Sequence, residues 1–224
     1  MDKLHTDRDY EQQLADLREG LLLMAGRVEE MIDNAIKALV ERDVPLAKAT
    51  MEADHLVNRA EVHTDELCLL ILAKRQPMAS DLRFVTLSLK MVTDLERIGD
   101  LAVNLCERAI DLASEPWPGQ WEKVPRMAEI ARTMVGDAID AFITADVDKA
   151  SAVIARDDEV DRLYRSAFDD VLGRMMADAT LVPRGVHVLS IAKWIERTAD
   201  HATNLAEQVV FMVKGKDIRH MGSL

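Results

Sequence analysis

Four pairs of side chains stand out by type and spacing. Glu96 with Asp100 and Glu196 with Asp200 place two carboxylates four residues apart, Asp157 with Asp161 repeats the interval, and Asp54 with Asn58 offers a carboxylate and an amide oxygen. Four residues is about one helical turn, so on a helix each pair shares a face with its oxygens side by side. An exposed helix face usually sets Lys four residues after Glu, whereas like charges at that spacing cost about 0.2–0.5 kcal/mol per pair. A bound cation would offset the repulsion. An all-oxygen donor set favours hard ions such as Mg, Mn, Ca or Fe over Zn. The competing reading is a solvated charged face.

The surrounding residues extend the pattern. At about 100° per residue, Glu96, Asp100, Asn104 and Glu107 fall within an arc of roughly 80°. Leu87, Met91, Leu95, Ala102, Leu105 and Ala109 take the opposite side, so the helix turns apolar residues to a core and carboxylates outward. Asp54, Asn58, Glu61 and Asp65 share a face by the same count. Asp157 and Asp161 begin an equivalent stripe, but Tyr164 and Phe168 take its two later positions, so the second acidic stripe is the poorer one.

These pairs need long helices, and the composition supplies them. In 224 residues there are only 9 Gly and 6 Pro, aromatics make up 4%, and Ala, Leu, Met, Glu and Asp are abundant. The expected class is all-α. Prolines at 45, 77, 116, 118, 125 and 183 divide the chain into six helices over about 10–42, 45–75, 79–114, 121–144, 147–179 and 183–214. Short connections near Val44, Gln76 and Asp146 turn neighbouring helices antiparallel, as in an up-and-down bundle.

The chain also repeats itself. Asp94-Leu-Glu-Arg-Ile-Gly-Asp-Leu-Ala-Val-Asn-Leu-Cys-Glu107 returns as Trp194-Ile-Glu-Arg-Thr-Ala-Asp-His-Ala-Thr-Asn-Leu-Ala-Glu207. Seven residue identities recur at an offset of one hundred, from Glu96 and Glu196 to Glu107 and Glu207. Two three-helix units follow, over residues 10–114 and 121–214, with a Pro/Gly/Trp linker at 115–120 and a basic tail at 215–224.

Other chemistries find little support. The formal charge of −12 argues against a nucleic-acid ligand and favours cations or basic protein surfaces. The longest stretch free of Asp, Glu, Lys and Arg is the eight residues from Gly185 to Ala192, too short for a membrane span or a signal peptide. Cys68 and Cys106 fit no CxxC or Cys/His pattern and read as small core residues of a cytoplasmic protein. No GxxxxGK, GxGxxG or GxSxG motif occurs. A carboxylate-bridged metalloenzyme remains the alternative function. A ferritin-like di-iron site, however, needs two Glu-x-x-His pairs, and only Glu52 with His55 fits. His63, His187 and His201 read as surface or capping residues. Gly99 inside a helix costs about 1 kcal/mol relative to Ala, which a close helix approach would explain, although Ala199 stands at the equivalent position.

Gln76-Pro-Met-Ala-Ser-Asp-Leu-Arg83, then Leu89-Lys-Met-Val-Thr-Asp-Leu-Glu-Arg-Ile-Gly-Asp100, and the partner segment from Trp194 to Glu207 closely resemble the PhoU proteins, regulators of bacterial phosphate uptake. The resemblance spans nearly the whole chain. It implies two tandem three-helix bundles and E(D)xxxD motifs that hold divalent or trivalent metal ions (Fe, Mn, Mg or Zn) on the bundle surface. In this chain those motifs fall at Glu96 with Asp100, Glu196 with Asp200, Asp157 with Asp161, and Asp54 with Asn58, the last departing from the pattern through its neutral amide. The resemblance further implies a homodimeric cytoplasmic adaptor without enzymatic activity. Its partners would be the ATP-driven (ABC) phosphate transporter, through the ATPase subunit, and a sensor histidine kinase, and it would hold the phosphate-starvation response off.

Overall fold

A computed structural model describes residues 3–115 and 122–215, with side chains from residue 8. The described residues form six long helices: α1 (Lys3–Glu41), α2 (Val44–Arg75), α3 (Ala79–Ala113), α4 (Lys123–Thr144), α5 (Val147–Ala177) and α6 (Val182–Lys214). A single 3₁₀ turn, Ala179–Leu181, precedes α6. The expected all-α class and helix count hold. The linker read at 115–120 lies outside the described residues beyond Glu115, as does the tail beyond Gly215 and the expected start of the fourth helix at Trp121.

Most boundaries that differ from the sequence reading shift by a residue or two, and two of the differences have a clear local cause. The first helix begins at Lys3 rather than near Tyr10, because periodicity marks only the first apolar contact and the charged residues ahead of it contain no helix breaker. Tyr10 is anchored where that contact begins. Its O–H donates to Asp81 Oδ2 at 2.9 Å, while Arg75 Nε donates to Gln13 Oε1 at 3.0 Å, tying α1 to the α2–α3 turn. Burial, reinforced by Asp81, pushes the Tyr10 phenol up to about 12. The fifth helix stops at Ala177 rather than 179. There Asp178 Oδ1 accepts from the Thr180 N–H at 2.9 Å and the Thr180 hydroxyl at 2.7 Å, a local alternative to continuing the α-helix.

Tight turns are made without glycine. Asp43 caps α2 by accepting from Leu46 N at 2.9 Å, and Asp146 caps α5 by accepting from Lys149 N at 3.0 Å. Arg42, Gln76 and Ala145 occupy the left-handed region, with φ of 59°, 49° and 53°. An L-residue there carries a steric cost of about 1–2 kcal/mol.

α1, α2 and α3 pack on one another, as do α4, α5 and α6, and the two sets join through α3 with α6 and α1 with α4. α2 and α5 are thus the outer helices. One hydrophobic core runs through both sets, with Leu21, Met24, Ile98, Leu105, Met127, Met134, Ile191 and Ile195 among its fully buried side chains. Leu87, Met91, Leu95, Ala102, Leu105 and Ala109, the side of α3 opposite the acidic pair, are all buried as expected. Phe84 of α3 stacks on Phe142 of α4 with centroids 6.2 Å apart, and Arg18 of α1 lies over the Phe84 ring at 5.1 Å.

The α3–α6 seam carries a polar anchor as well. Asp94 Oδ1 accepts from His201 Nδ1 at 2.9 Å and Asn204 Nδ2 at 3.3 Å, and its Oδ2 accepts from Gln208 Nε2 at 2.6 Å. His201 therefore bridges the two sets of helices, where the sequence reading gave it a surface or capping place. At the repeat-equivalent position of α6, Trp194 lies under the Arg108 guanidinium at 5.9 Å.

Substitution Asp146→Ala or Asp43→Ala removes a helix cap and is expected to cost about 1 kcal/mol each. Ala145→Gly relieves the left-handed strain and should stabilise by about 0.5–1 kcal/mol. Urea unfolding of the single variants checks both signs.

Candidate functional site

α2 and α3 bring the first group of carboxylates to one seam. The helices meet closely at Gly99, where an added Cβ would lie 3.4 Å from Val57 Cγ1 and 3.6 Å from Asp54 Oδ1. Those are ordinary contact distances, so the alanine at the equivalent position 199 needs no special accommodation. On this seam Asp54 and Glu61 lie within electrostatic reach of Glu96 and Asp100. Asn58 Nδ2 donates to Asp54 Oδ2 at 2.8 Å, so the amide spends its donor on the neighbouring carboxylate. Asp54 Oδ1 and Glu96 Oε2 are buried and accept no hydrogen bond. Arg97 is the local cation, with Nη1 3.0 Å from Asp100 Oδ2 and Nε 3.4 Å from Glu96 Oε2.

Crowding shows in the acidities. Burial first, then Asp100, raises the Glu96 carboxyl above its ordinary value, with Arg97 opposing and Glu61 and Asp54 adding to the rise. Asp54 is raised by burial against the Asn58 hydrogen bond, with Asp100 raising it further. Glu61 is raised by burial and by Asp65.

The equivalent seam between α5 and α6 gathers Asp157, Asp161, Glu196 and Asp200. Burial, then Asp200 and Asp161, pushes the Asp157 carboxyl from 3.8 up to about 6. Asp200 is raised by burial and then by Glu196, with Lys193 opposing. Glu196 is buried, and both its oxygens accept from Lys193 Nζ, at 2.6 and 2.5 Å. The Lys193 ammonium also sits 5.4 Å from the Tyr164 ring centroid. Arg165 Nη2 pairs with Asp161 Oδ2 at 3.0 Å.

All eight residues singled out by spacing thus lie on these two seams, four on each. The longer polar stripe divides. Asn204 turns to Asp94 at the α3–α6 seam rather than to α5, and Arg108 Nη2 takes up Glu107 Oε2 at 3.3 Å. Among the described residues, no three Asp, Glu, His or Cys side chains are gathered closely enough to hold a metal ion as they stand. Glu96 and Asp100 are turned instead to Arg97, Asp161 to Arg165 and Glu196 to Lys193, the arrangement mutual repulsion favours. On the first seam the donor chemistry fits a hard cation: the donors are oxygens, Asp54 Oδ1 is buried without a hydrogen bond, and Glu96 Oε2 is met only by Arg97 Nε at 3.4 Å, short of one. Sequence reasoning missed Lys193 and Asp94. The signal for Lys193 was the repeat itself, which sets Thr93 at the equivalent place.

The sign of the pH effect follows from the raised pKa of Asp157. Asp157 holds its proton more tightly folded than unfolded, so its burden on folding grows as pH rises from about 4 to about 6 and is complete above that. In chelator, Asp157→Asn should stabilise the chain at about pH 7 by about 1 kcal/mol, reduced from the full shift because solvent screens this partly exposed group. The gain should vanish near pH 4. Denaturant unfolding at the two pH values measures it, and an equal effect at both would contradict the assignment.

The PhoU domain family matches residues 21–109 and 124–209, one match on each side of the linker region. A Pseudomonas putida protein named phosphate-specific transport system accessory protein PhoU homolog is 40% identical over 219 residues, covering 97% of this chain and 86% of that protein. The Escherichia coli phosphate-specific transport system accessory protein PhoU is 35% identical, covering 97% of this chain and 90% of its own. The crystal structure of PhoU from Pseudomonas aeruginosa superposes with a TM-score of 0.90 at 39% identity, covering 92% of this chain and all of that one. The phosphate transport system regulatory protein PhoU from Streptococcus pneumoniae gives 0.85 at 27% identity, covering 93% and 98%. Fold, repeat and sequence agree, and the chain belongs to the PhoU family.

Proposed function

We propose that this chain is a cytoplasmic, homodimeric adaptor that restrains phosphate uptake and holds the phosphate-starvation response off. In this reading it links the ABC phosphate transporter, through the ATPase subunit, to a sensor histidine kinase. The observation that carries the proposal is the near end-to-end similarity, at 35–40% identity, to proteins named phosphate-specific transport system accessory proteins. The physical character of the chain supports it. Among the described residues no helix is long and apolar enough to cross a membrane, and a formal charge of −12 suits docking to basic protein surfaces. The acidic seams would hold Fe, Mn, Mg or Zn ions through Asp54, Asn58, Glu96 and Asp100 on one side and Asp157, Asp161, Glu196 and Asp200 on the other. A metal there supplies positive charge and open coordination positions, which a carboxylate or phosphate of a partner could complete.

An enzymatic reading finds no support in the residues that would have to act. Cys68 and Cys106 are buried and their thiols pushed up to about 12, far from a reactive thiolate. His55 of the lone Glu-x-x-His pair spends its Nδ1 on the Glu52 carbonyl, one turn back on its own helix.

The test is secreted alkaline phosphatase activity in phosphate-replete cells lacking the gene. Activity should be high in the deletion and suppressed by the wild-type chain, but not by a chain carrying E96A, D100A, E196A and D200A together. Suppression by both chains would keep the regulator and remove the metal-dependent docking. No derepression on deletion would overturn the regulatory reading.

A further inference from the structure

The two acidic seams are not chemically equivalent, and the difference lies in a coordinated pair of replacements. Asp43 and Asp146 begin α2 and α5, which sets Glu61 in register with Tyr164; the offset of one hundred sets Thr93 in register with Lys193. Where the first seam has a carboxylate and a hydroxyl, the second has an aromatic ring and an ammonium. These two new groups meet each other. Lys193 Nζ is 5.4 Å from the Tyr164 centroid, within the range at which a cation is held by a ring face.

The same ammonium closes on Glu196 through both oxygens. The counter-ion of the first seam works differently. Arg97, 55% exposed against 45% for Lys193, meets Glu96 Oε2 only as an ion pair at 3.4 Å without a hydrogen bond, and it leaves Asp54 Oδ1 buried with no hydrogen bond. On the second seam no carboxylate oxygen is left in that state among the described residues.

The geometry points to Lys193 as a tethered cation that already fills the α5–α6 seam, so that metal enters the α2–α3 seam first and reaches the second only by displacing the Lys193 ammonium from Glu196. This inference rests on the metal-binding part of the function proposed above. It makes Lys193 and Tyr164 the residues that grade the two halves, with the first seam the more readily entered and the second a conditional one. Removing the ammonium frees both oxygens of a buried Glu196 for an incoming hard cation, whereas replacing it by arginine leaves a positive charge in place.

Manganese is the probe. Chelator-stripped wild-type chain titrated with Mn²⁺ in a calorimeter, with bound metal counted by mass spectrometry, should show a tight and a weak class. E96Q with D100N should abolish the tight class, and E196Q with D200N the weak one. K193M should tighten the weak class by about tenfold or more and leave the tight class unchanged, since each such factor is about 1.4 kcal/mol of competition removed. K193R should leave the weak class weak. An unchanged weak class in K193M would overturn the inference while leaving metal binding intact, as would loss of the tight class in E196Q with D200N. No Mn²⁺ uptake by wild type or K193M would overturn the metal reading and the ranking together. A metal-free measurement separates the counter-ion role from both. In chelator K193M should melt below wild type and K193R, with the gap closing in high salt, and equal melting of all three would overturn that role.

Discussion

Repulsion among carboxylates that the fold holds within reach of one another is the constraint around which this molecule is arranged. Each outer helix packs by one face only, so the seams α2–α3 and α5–α6 are the places where apolar core gives way to solvent. Acidic side chains placed there are desolvated enough to feel one another strongly, as the weakened acidities of Glu96, Asp54 and Asp157 record. Stability alone would favour lysines at several of these positions. The chain instead keeps the acids and surrounds them with a few cations of differing exposure and reach.

The same constraint accounts for the long helices. Two carboxylates one turn apart keep their spacing only while the backbone beneath them stays helical, and that backbone is fixed by the buried faces of α3 and α6. Leu95, Ile98, Ala102 and Leu105 in one repeat, and Ile195, Ala199, Ala202 and Leu205 in the other, form this footing. The function-bearing faces are therefore set by residues that never meet a ligand.

Much of this was legible in the sequence. Six helices, the core side of α3, and both acidic pairs followed from periodicity, because an amphipathic helix writes its burial pattern into its residue order. What escaped has physical reasons. The α1 start carries no apolar periodicity, and the α5 end near Asp178 depends on side-chain hydrogen bonds to Thr180. The Asp94 anchor joins residues more than a hundred positions apart, which no local pattern encodes. Lys193 stands three residues before Glu196 and looks like an ordinary surface pair until the repeats are aligned. Its significance lies in the contrast with Thr93, and in the bond to a carboxylate whose burial only the packing decides.

The continuous core has a consequence for how the chain comes apart. Because α3 lies against α6, and Phe84 stacks across to Phe142, each three-helix set forms part of the wall of the other. Neither can shed its neighbour without baring a large apolar surface and unpairing Asp94 from His201 and Gln208. The repeat visible in the sequence is therefore not the expected unit of cooperativity: the packing predicts that the chain melts as one body, so that a loss of order in either half is felt in both.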